Sequence, residues 1–417
     1  MGKPPLCPPC LLHALCGKDF NHKGHACVPA CLFEKQIWRA GRNIVSLHFG
    51  VQARRMHKAC LPVVRLRSSD CDRQISIVRL RRILSSRQGH REFGCWPSLI
   101  VALHLVSLSR MNIVITGGTG LIGSAITRDL INRGHSAILL SRSAKKSGDD
   151  RIRIVQWDAE NHGPWVESIS NADAILNLTG ESIGGGRWTK ARKQRIVQSR
   201  VNATNALVKA IGTASKRPAV LVSASGVDYY GHVEEGDVHE SHPQGTGFLT
   251  ETTVVWEMAA KGAEEHGTRV VTVRTGFVIA ADAPAFKKMI LPFKLFAGGP
   301  YGSGKQWFSW IHLKDVVRGY IFALENPGIS GPMNLCSPNP LRVSDLAREL
   351  GKALHRPSFL PAPAFGLKIL LGEMSDLLLN GRRALPGVLM KHGFEFSFPT
   401  LREALEDVLK KEGEVER

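Results

Sequence analysis

Short apolar runs alternate, from residue 112 onward, with longer stretches in which apolar residues recur every three or four positions. The short runs are typical of buried strands, and the longer pattern is typical of amphipathic helices. This alternation predicts strands at 112–116, 136–140, 152–156, 174–178 and 219–223, and helices at 124–132, 188–211 and 251–265. Because strands that alternate with helices form parallel sheets covered by helices, we predict an α/β fold with a doubly wound parallel sheet.

The pattern becomes mostly helical from about Ala281 to the end of the chain. Apolar residues at helical spacing predict helices at 315–324, 344–354, 365–379 and 401–409, with one returning strand at 333–336. These helices supply apolar faces that can cover the sheet and a pocket beside it. We therefore predict a main domain over 111–355 and a smaller, mostly helical, substrate-side C-terminal domain over 356–417.

Residues 1–110 show no sustained periodicity, and we expect this segment to be a disordered, basic, cysteine-rich extension. It holds 18 Lys and Arg against 5 Asp and Glu, whereas residues 111–417 hold 37 against 31, so the extension carries most of the net charge of +19. A zinc cluster formed by its cysteines and histidines is an open alternative. Because their spacing matches none of the usual zinc-finger patterns, we predict no metal site.

Met111 directly precedes the first predicted strand. We expect that translation starts there and that residues 1–110 are an extended gene assignment. The arginine-rich run over 79–87 leaves a targeting arm or a phosphate-binding tail as alternatives. Mass spectrometry of the native N-terminus tests this expectation, and peptides from residues 1–100 would contradict it.

Cysteine usage and hydropathy indicate where the protein works. Cys336 is the only cysteine after Met111, which indicates a reducing compartment. No run of ~20 apolar residues occurs, and the nearest candidate, Leu99–Leu108, is too short to span a membrane. The first residues read Met-Gly-Lys-Pro-Pro, which does not resemble a signal peptide. We therefore expect a cytoplasmic protein with no membrane partner.

The most specific motif is a glycine-rich turn that links the first predicted strand to the first predicted helix. Gly117 permits a tight turn, Gly120 lets the backbone approach a pyrophosphate, and Gly123 lets the helix pack closely on the strand. The helix N-terminus offers free N–H groups and a partial positive charge to the phosphates. A glycine turn alone can be merely structural, but here it has the flanking elements of a Rossmann-type dinucleotide site. The predicted cofactor contacts are Gly117, Thr119, Gly120, Leu121, Ile122 and Gly123.

The end of the second predicted strand indicates which dinucleotide binds. Ser141 and Arg142 stand there, about 20 residues past the glycine turn, where the ribose-recognising residue belongs. An acidic residue would bind the 2′-hydroxyl of NAD, whereas Arg142 offers a planar cation and Ser141 a hydroxyl to a 2′-phosphate. We therefore predict NADP as the cofactor, with a solvated Arg142 as the alternative.

Two further strand ends carry side chains that suit the same cofactor. Trp157 and Asp158 can bracket the adenine, although packing of Trp157 in the core is an equal alternative. The loop after the fourth strand can bring its backbone close to the ribose and nicotinamide half. The residues expected to contribute from that loop are Asn177, Thr179, Gly180 and Glu181.

Several longer motifs together carry a family resemblance. They are 116–123, 177–181, 187–200, 223–231, 274–276 and 310–315, followed by 372–373, 385–386 and 393–396. With them the chain resembles the extended short-chain dehydrogenase/reductase superfamily, and within it the atypical, NAD-dependent epimerase/dehydratase-like proteins that carry a C-terminal domain of unknown function. The resemblance covers Met111 to about Leu409. It implies an NADP-binding Rossmann domain whose pocket is closed by the C-terminal part, with Arg200 reaching the cofactor and Ser223 beside the nicotinamide.

The sequence departs from that superfamily at the catalytic pair. Typical members use a Tyr as acid/base and a Lys four residues later that lowers its pKa. Counting back from Trp256 and Glu257 places Leu249 and Thr253 at those positions. The candidate substitutes are residues that follow the fifth strand, near the expected nicotinamide: Ser225, Tyr229 and Tyr230. Core packing is an open alternative for either tyrosine.

Three hypotheses of function follow from these observations. The first is an NADP-dependent oxidoreductase or epimerase that acts on a small hydroxylated or carbonyl substrate by hydride transfer. The second is an NADP-binding sensor or scaffold without turnover, since the Tyr–Lys pair is missing. The third, nucleic-acid binding by the basic extension, is the least favoured of the three. The cations of the helix over 188–211 do not support it, because the rest of residues 111–417 lacks a basic surplus. We expect a small-molecule substrate and no nucleic-acid partner, and we leave a homodimer open.

Overall fold

The computed structural model of the chain describes residues 110–143, 147–161 and 163–415, with the backbone alone for 411–415 and for four short strands near the start. The chain divides into two compact units, residues 1–99 and 100–417. In the first unit Trp38–Ala40 pairs antiparallel with Asn43–Val45, and His48–Phe49 pairs antiparallel with Val64–Arg65. The predictions for residues 1–109, including the disordered extension and the zinc alternative, otherwise lie outside the described residues.

The second unit is built from alternating strands and helices, as the hydrophobic pattern predicts. Its strands are β1 (Asn112–Thr116), β2 (Ser136–Ser141), β3 (Ile152–Gln156), β4 (Ala174–Asn177), β5 (Val220–Gly226), β6 (Asp237–Val238), β7 (Arg269–Thr275), β8 (Phe277–Ile279), β9 (Trp307–Phe308), β10 (Trp310–His312), β11 (Gly331–Leu335), β12 (Leu341–Arg342) and β13 (Arg383–Ala384). Its helices are α1 (Leu121–Asn132), α2 (Val166–Ser170), α3 (Lys190–Thr213), α4 (Phe248–Lys261), α5 (Pro284–Lys294), α6 (Leu313–Glu325), α7 (Val343–Leu354), α8 (Ala364–Leu371), α9 (Asp376–Leu379), α10 (Gly387–Lys391) and α11 (Leu401–Val415). None of the helices described has the length and apolar character needed to cross a lipid bilayer.

Seven of these strands form one sheet in the order β11-β7-β5-β4-β1-β2-β3, and every neighbouring pair is parallel. The chain runs outward from β1 to β3, returns to β4 on the other side of β1, and continues outward from there. This reversal places a crevice at the carboxyl ends of β1 and β4, which is where open α/β sheets bind ligands. The predicted α/β fold with a doubly wound, Rossmann-type parallel sheet is confirmed.

Each face of the sheet carries its own apolar core, because alternate residues of a strand point to opposite faces. Ile113 and Ile115 of β1 pack on one face in the cluster that includes residues of α1 and α6, whereas Val114 packs on the other face with residues of α3. Each such side chain contributes ~1.5–3 kcal/mol when fully buried. Burial on both faces explains why these strands are nearly continuous apolar runs in the sequence.

The helices that follow residue 281 form a further apolar cluster. α5 contributes Phe286 and Ile290, α7 contributes Leu350, and α11 contributes Leu405 and Val408. The mostly helical C-terminal region is therefore confirmed. Because α7 precedes residue 355 and α11 follows it, apolar packing joins the two sides of the predicted domain boundary, and the boundary itself stays a prediction.

The single helix predicted over 365–379 is wrong. α8 ends at Leu371, Gly372 adopts φ +60°, and a short 3₁₀ turn leads into α9. Glycine adopts a positive φ at little cost, so Gly372 ends the helix here. The apolar spacing continues across this break, which is why the hydrophobic pattern alone did not locate it.

Candidate cofactor and substrate site

Two glycines of the turn after β1 lie where no side chain fits. Gly117 adopts φ +68°, and a Cβ built on it would lie 2.6 Å from the Leu178 carbonyl oxygen. A Cβ on Gly123 would lie 2.3 Å from the Gly117 carbonyl oxygen. By contrast, a Cβ on Gly120 would meet, within the described part of the chain, only that oxygen, at 3.4 Å. Packing therefore requires glycine at 117 and 123, whereas Gly120 borders open space on the side where the phosphates are predicted.

The helix that follows this turn presents an uncapped N-terminus. α1 begins at Leu121 after Gly120, no side chain of the residues that the structure describes caps it, and no acidic residue occurs in its first turn. Thr119 and Gly120 are exposed beside it. The first amides of a helix have no partner within the helix and carry a partial positive charge. The cradle thus fits a pyrophosphate held by the amides of Leu121, Ile122 and Gly123.

The predicted 2′-phosphate residues lie at the end of the strand next to β1. Ser141 is the last residue of β2, and its Oγ accepts a hydrogen bond from the Ser143 amide at 3.3 Å. Arg142 follows it and is exposed, and its carbonyl oxygen accepts a hydrogen bond from Gln156 Nε2 at 3.3 Å. The structure therefore leaves the Arg142 guanidinium accessible beside the crevice.

The two residues predicted to bracket the adenine differ in their surroundings. Trp157 is 5% exposed and packs edge-on against Trp165, with ring centroids 5.3 Å apart, so the core packing that we kept as an alternative describes it. Asp158 is exposed and accepts hydrogen bonds from the amides of Glu160 and Asn161 at 3.0 and 2.9 Å. These bonds, with one from the Asn161 side chain, lower the pKa of Asp158 to about 2. Adenine contact by either residue stays a prediction.

Asn177 and Ser223 belong to a buried hydrogen-bond network that joins three strands and a helix. Asn177 Oδ1 accepts from Thr116 Oγ1 at 2.9 Å, and Asn177 Nδ2 donates to Thr204 Oγ1 at 2.8 Å and to Ser223 Oγ at 3.1 Å. The Asn177 amide is thus satisfied inside the protein. A cofactor contact at this position would have to come from the backbone, and the predicted roles of both residues stay predictions.

The loop after β4 is held in place by Arg200. Its guanidinium donates to the carbonyl oxygens of Glu181 and Ile196 at 3.1 and 2.9 Å and lies 5.0 Å from the Trp256 ring centroid. Burial lowers the pKa of Arg200 to about 10, so the side chain remains charged at neutral pH. A Cβ on Gly180 would lie 2.9 Å from the Arg200 guanidinium carbon, so any larger residue there would displace the guanidinium.

One polar atom of the same loop has no partner. Thr179 Oγ1 is buried and makes no hydrogen bond within the part of the chain that the structure describes. Buried hydroxyls are normally hydrogen-bonded, so a ligand or a water molecule is the expected partner of this one. Thr179 lies after β4, next to the crevice, where the sequence predicts that the backbone of this loop approaches the ribose.

Ser225 and Tyr230, both catalytic candidates, lie in one charged network. Ser225 Oγ donates to Glu257 Oε1 at 2.6 Å, and Arg274 forms two hydrogen bonds of 2.8 Å to the same carboxylate. Arg274 Nη1 also donates to the Tyr230 hydroxyl at 2.9 Å, and that hydroxyl donates to Asn334 Oδ1 at 2.7 Å. Burial raises the pKa of Tyr230 to about 12. Both bonding directions of this hydroxyl are therefore used inside the protein.

Tyr229, the third catalytic candidate, stacks on the same arginine. The guanidinium carbon of Arg274 lies 3.4 Å from the Tyr229 ring centroid, and the Tyr229 and Tyr230 rings meet edge-on at 5.4 Å. A cation on a tyrosine ring is a stabilising contact. Neither tyrosine lines the cavity that is described next, so the structure brings only Ser225 of the three candidates to it.

A cavity of about 260 Å³ opens at the carboxyl ends of β5 and β7. Its lining includes Ser225, Leu249 and Thr253. The two positions where the sequence predicts the superfamily's Tyr and Lys therefore line this cavity. A second cavity, of about 230 Å³, lies at the amino ends of β1 and β2, at the end of the sheet opposite the glycine turn. None of the predicted site residues lines it.

The cavity at the carboxyl ends of β5 and β7 is also lined by an ion pair that the sequence pattern did not indicate. Arg382 Nη1 donates to Asp228 Oδ1 at 2.7 Å, and both residues line the cavity. They stand 154 positions apart, one in the turn after β5 and the other just before β13. No local motif joins them, so only the three-dimensional structure brings them together.

Comparisons with known proteins agree with this geometry. The family model described as the NAD dependent epimerase/dehydratase family matches residues 113–336, and a domain of unknown function, DUF1731, matches residues 362–408. The epimerase family protein YfhF of Bacillus subtilis is 40% identical over 300 residues, which is 72% of this chain and 98% of that protein. An Arabidopsis thaliana protein, the chloroplastic homolog of epimerase family protein SDR39U1, is 38% identical over 309 residues, which is 72% of this chain and 88% of that protein.

A solved structure gives the same result. The crystal structure of human epimerase family protein SDR39U1 (isoform 2) with NADPH is similar, with a TM-score of 0.66 and 33% identity. The similarity covers 72% of this chain and 99% of the human chain. The matched family model, the identities and the shared fold lead to one conclusion: the chain belongs to the NAD-dependent epimerase/dehydratase family, with the C-terminal domain of unknown function appended.

Proposed function

We propose that the protein is an NADP-dependent oxidoreductase or epimerase that acts on a small hydroxylated or carbonyl substrate. The observation that carries this proposal is the uncapped N-terminus of α1 in a glycine cradle, one strand away from the exposed Arg142. Such a cradle binds a pyrophosphate, and an accessible guanidinium binds a 2′-phosphate. The human relative was crystallised with NADPH, which supports the same choice of cofactor.

The residues around the crevice fit the parts of this cofactor. The amides of Leu121–Gly123 would hold the pyrophosphate, and Ser141 and Arg142 the 2′-phosphate. The loop over 179–181, braced by Arg200, would hold the ribose of the nicotinamide half through the orphaned Thr179 hydroxyl. When bound, the cofactor supplies the redox chemistry by hydride transfer, and the protein orients the substrate.

Ser225 is the group that we propose to hold the reacting oxygen of the substrate. It lines the cavity, and its hydroxyl proton is donated to Glu257, which leaves its lone pairs to accept a hydrogen bond from a substrate hydroxyl. Rotation of the same hydroxyl would let it donate to a carbonyl instead.

The sole cysteine of residues 111–417 supports our further proposal that the protein works in the cytoplasm.

Replacing Arg142 with aspartate tests the cofactor. We expect Arg142→Asp to weaken NADPH binding by ~1.5–3 kcal/mol, the value of a charge-assisted hydrogen bond, and to leave NADH binding little changed. Titration of the change in nicotinamide fluorescence measures both affinities. Arg153→Asp is the matched control, because Arg153 is exposed on β3 near its amino end. Equal losses for NADPH and NADH would show that the ribose site lies elsewhere.

A sensor or scaffold that binds NADP without turnover is the second candidate. It is favoured by Leu249 and Thr253, which line the cavity where a proton-transferring Tyr and its Lys would stand, since neither side chain can take that role. NADPH oxidation assayed against a panel of sugars, ketones and quinones separates the two functions. Turnover with any of them supports the enzyme, whereas tight NADPH binding with no turnover supports the sensor.

A further inference from the structure

We propose that Arg382, supplied by the C-terminal domain, binds an anionic oxygen group of the substrate, a carboxylate or a phosphate, inside the cavity. This inference rests on the proposed function and specifies its substrate class. It also gives the C-terminal domain a task, because Arg382 lies in the matched range 362–408 whereas Asp228 lies in the range 113–336.

The Arg382 side chain is almost wholly buried yet faces the cavity. It is 9% exposed, and its partner Asp228 is 28% exposed. Among the described residues, Asp228 Oδ1 is the one hydrogen-bond acceptor of this guanidinium. A guanidinium has five N–H donors, so most of them remain for a ligand. Planar donors in a fixed fork match the two oxygens of a carboxylate or a phosphate.

The backbone around Arg382 is fixed from both sides. Ser309 Oγ donates to the Arg382 carbonyl oxygen at 2.7 Å and accepts from the Ala384 amide at 3.0 Å. The Gly381 amide donates to His232 Nδ1 at 3.0 Å, and a Cβ on Gly381 would lie 2.4 Å from the Trp307 carbonyl oxygen. Arg382 is therefore held in position before any ligand arrives, which lowers the entropic cost of binding one.

The charges in the cavity favour an anion. The charged residues of its lining are Arg200, Asp228 and Arg382, two cations and one anion. Arg200 braces the loop through two bonds from Nη1 to backbone carbonyl oxygens, whereas the Arg382 guanidinium has one acceptor among the described residues, so we assign the anion to Arg382. Asp228 compensates Arg382 in the absence of ligand and repels an incoming anion. The two partners should therefore have opposite effects on anion binding.

Binding of small probes to variants of the full chain tests this proposal. The probes are inorganic phosphate, 2-oxobutyrate and its uncharged analogue 2,3-pentanedione, titrated by calorimetry into the NADP⁺-loaded chain and into the cofactor-free chain. We expect an anionic probe to bind and the diketone to bind more weakly. Tighter binding of phosphate than of 2-oxobutyrate indicates a phosphorylated substrate, and tighter binding of 2-oxobutyrate indicates a carboxylic acid.

Arg382→Gln should raise the Kd of the anionic probe at least ~10-fold, the loss expected for a charge-assisted fork. Arg383→Gln is the matched control, because Arg383 is adjacent to Arg382 but pairs with Asp237 at 2.7 Å and does not line the cavity. The Kd of this variant for the anionic probe should stay within about twofold of the wild-type value. Asp228→Asn should lower the Kd several-fold, because the competing charge is removed. A purely structural pair would instead weaken binding in both variants.

Three results would overturn the proposal: no binding of either anion to the wild-type chain, equal Kd values for Arg382→Gln and Arg383→Gln, or weaker binding in Asp228→Asn. If Arg382→Gln fails to fold, the double variant Asp228→Asn/Arg382→Gln keeps a neutral hydrogen-bonded pair and replaces it. The cofactor-free titration does not depend on NADP. A failure of NADPH binding therefore contradicts the proposed function without deciding the role of Arg382.

Discussion

Replacing Glu257 with leucine should lower the free energy of unfolding by ~3–5 kcal/mol, the cost of breaking a buried ion pair from one side. Arg274 is 3% exposed and forms two hydrogen bonds of 2.8 Å to the Glu257 carboxylate. Without Glu257 the buried guanidinium would lose its counter-charge, and Ser225 would lose its acceptor. Urea denaturation followed by circular dichroism measures the change.

The control is the same substitution at an exposed ion pair. Glu373, whose side chain is 60% exposed, lies 2.6 Å from Lys193, and Glu373→Leu should cost only ~0–1 kcal/mol, the usual value of a surface ion pair. Similar losses for the two variants would mean that the Glu257–Arg274 pair is solvated in solution, and the network around Ser225 would then need another description.

Replacing Gly123 with alanine should strongly weaken the binding of NADPH. The new Cβ would lie 2.3 Å from the Gly117 carbonyl oxygen and 2.7 Å from the Gly118 Cα, both backbone atoms that cannot rotate away. The helix must move from the turn, so its amides leave the pyrophosphate site. We expect a loss of stability of ~1–3 kcal/mol from overpacking and a rise in the NADPH Kd of at least ~10-fold.

Gly148→Ala is the matched control for Gly123→Ala. A Cβ on Gly148 would meet no atom of the described residues within 4 Å, so stability and NADPH affinity should stay unchanged. The wild-type chain and both variants are compared by thermal unfolding and by NADPH fluorescence. Tight NADPH binding by Gly123→Ala would contradict the site that we propose on α1.

Much of the fold could be predicted because its signals are local. Each apolar run of β1 to β5, like the glycine turn, is a contiguous stretch of sequence, and the structure forms strands and a turn at these positions. The steric reasons for glycine at 117 and 123 also follow from a strand–turn–helix connection. Counting along one helix also selected Leu249 and Thr253, and both residues line the cavity.

The remaining features depend on contacts between distant residues. The amide of Asn177 contacts Ser223, the hydroxyl of Tyr230 contacts Asn334, and Asp228 contacts Arg382, each across 46 to 154 positions. The pattern of hydrophobic and polar residues shows which polar side chains are present, but it does not show which of them form hydrogen bonds with each other. Proximity to β5 therefore suggested Tyr230 as a catalytic candidate, although its hydroxyl is bonded within the protein.

The separation of Asp228 and Arg382 along the chain also sets an order of events during synthesis. The aspartate leaves the ribosome 154 residues before the arginine, a delay of roughly 8–30 s at ~5–20 residues per second. The nucleotide-binding sheet can begin to fold in that interval, before Arg382 on the other side of the pocket has been synthesised. That side of the pocket is complete only once Arg382 in the C-terminal domain has been synthesised.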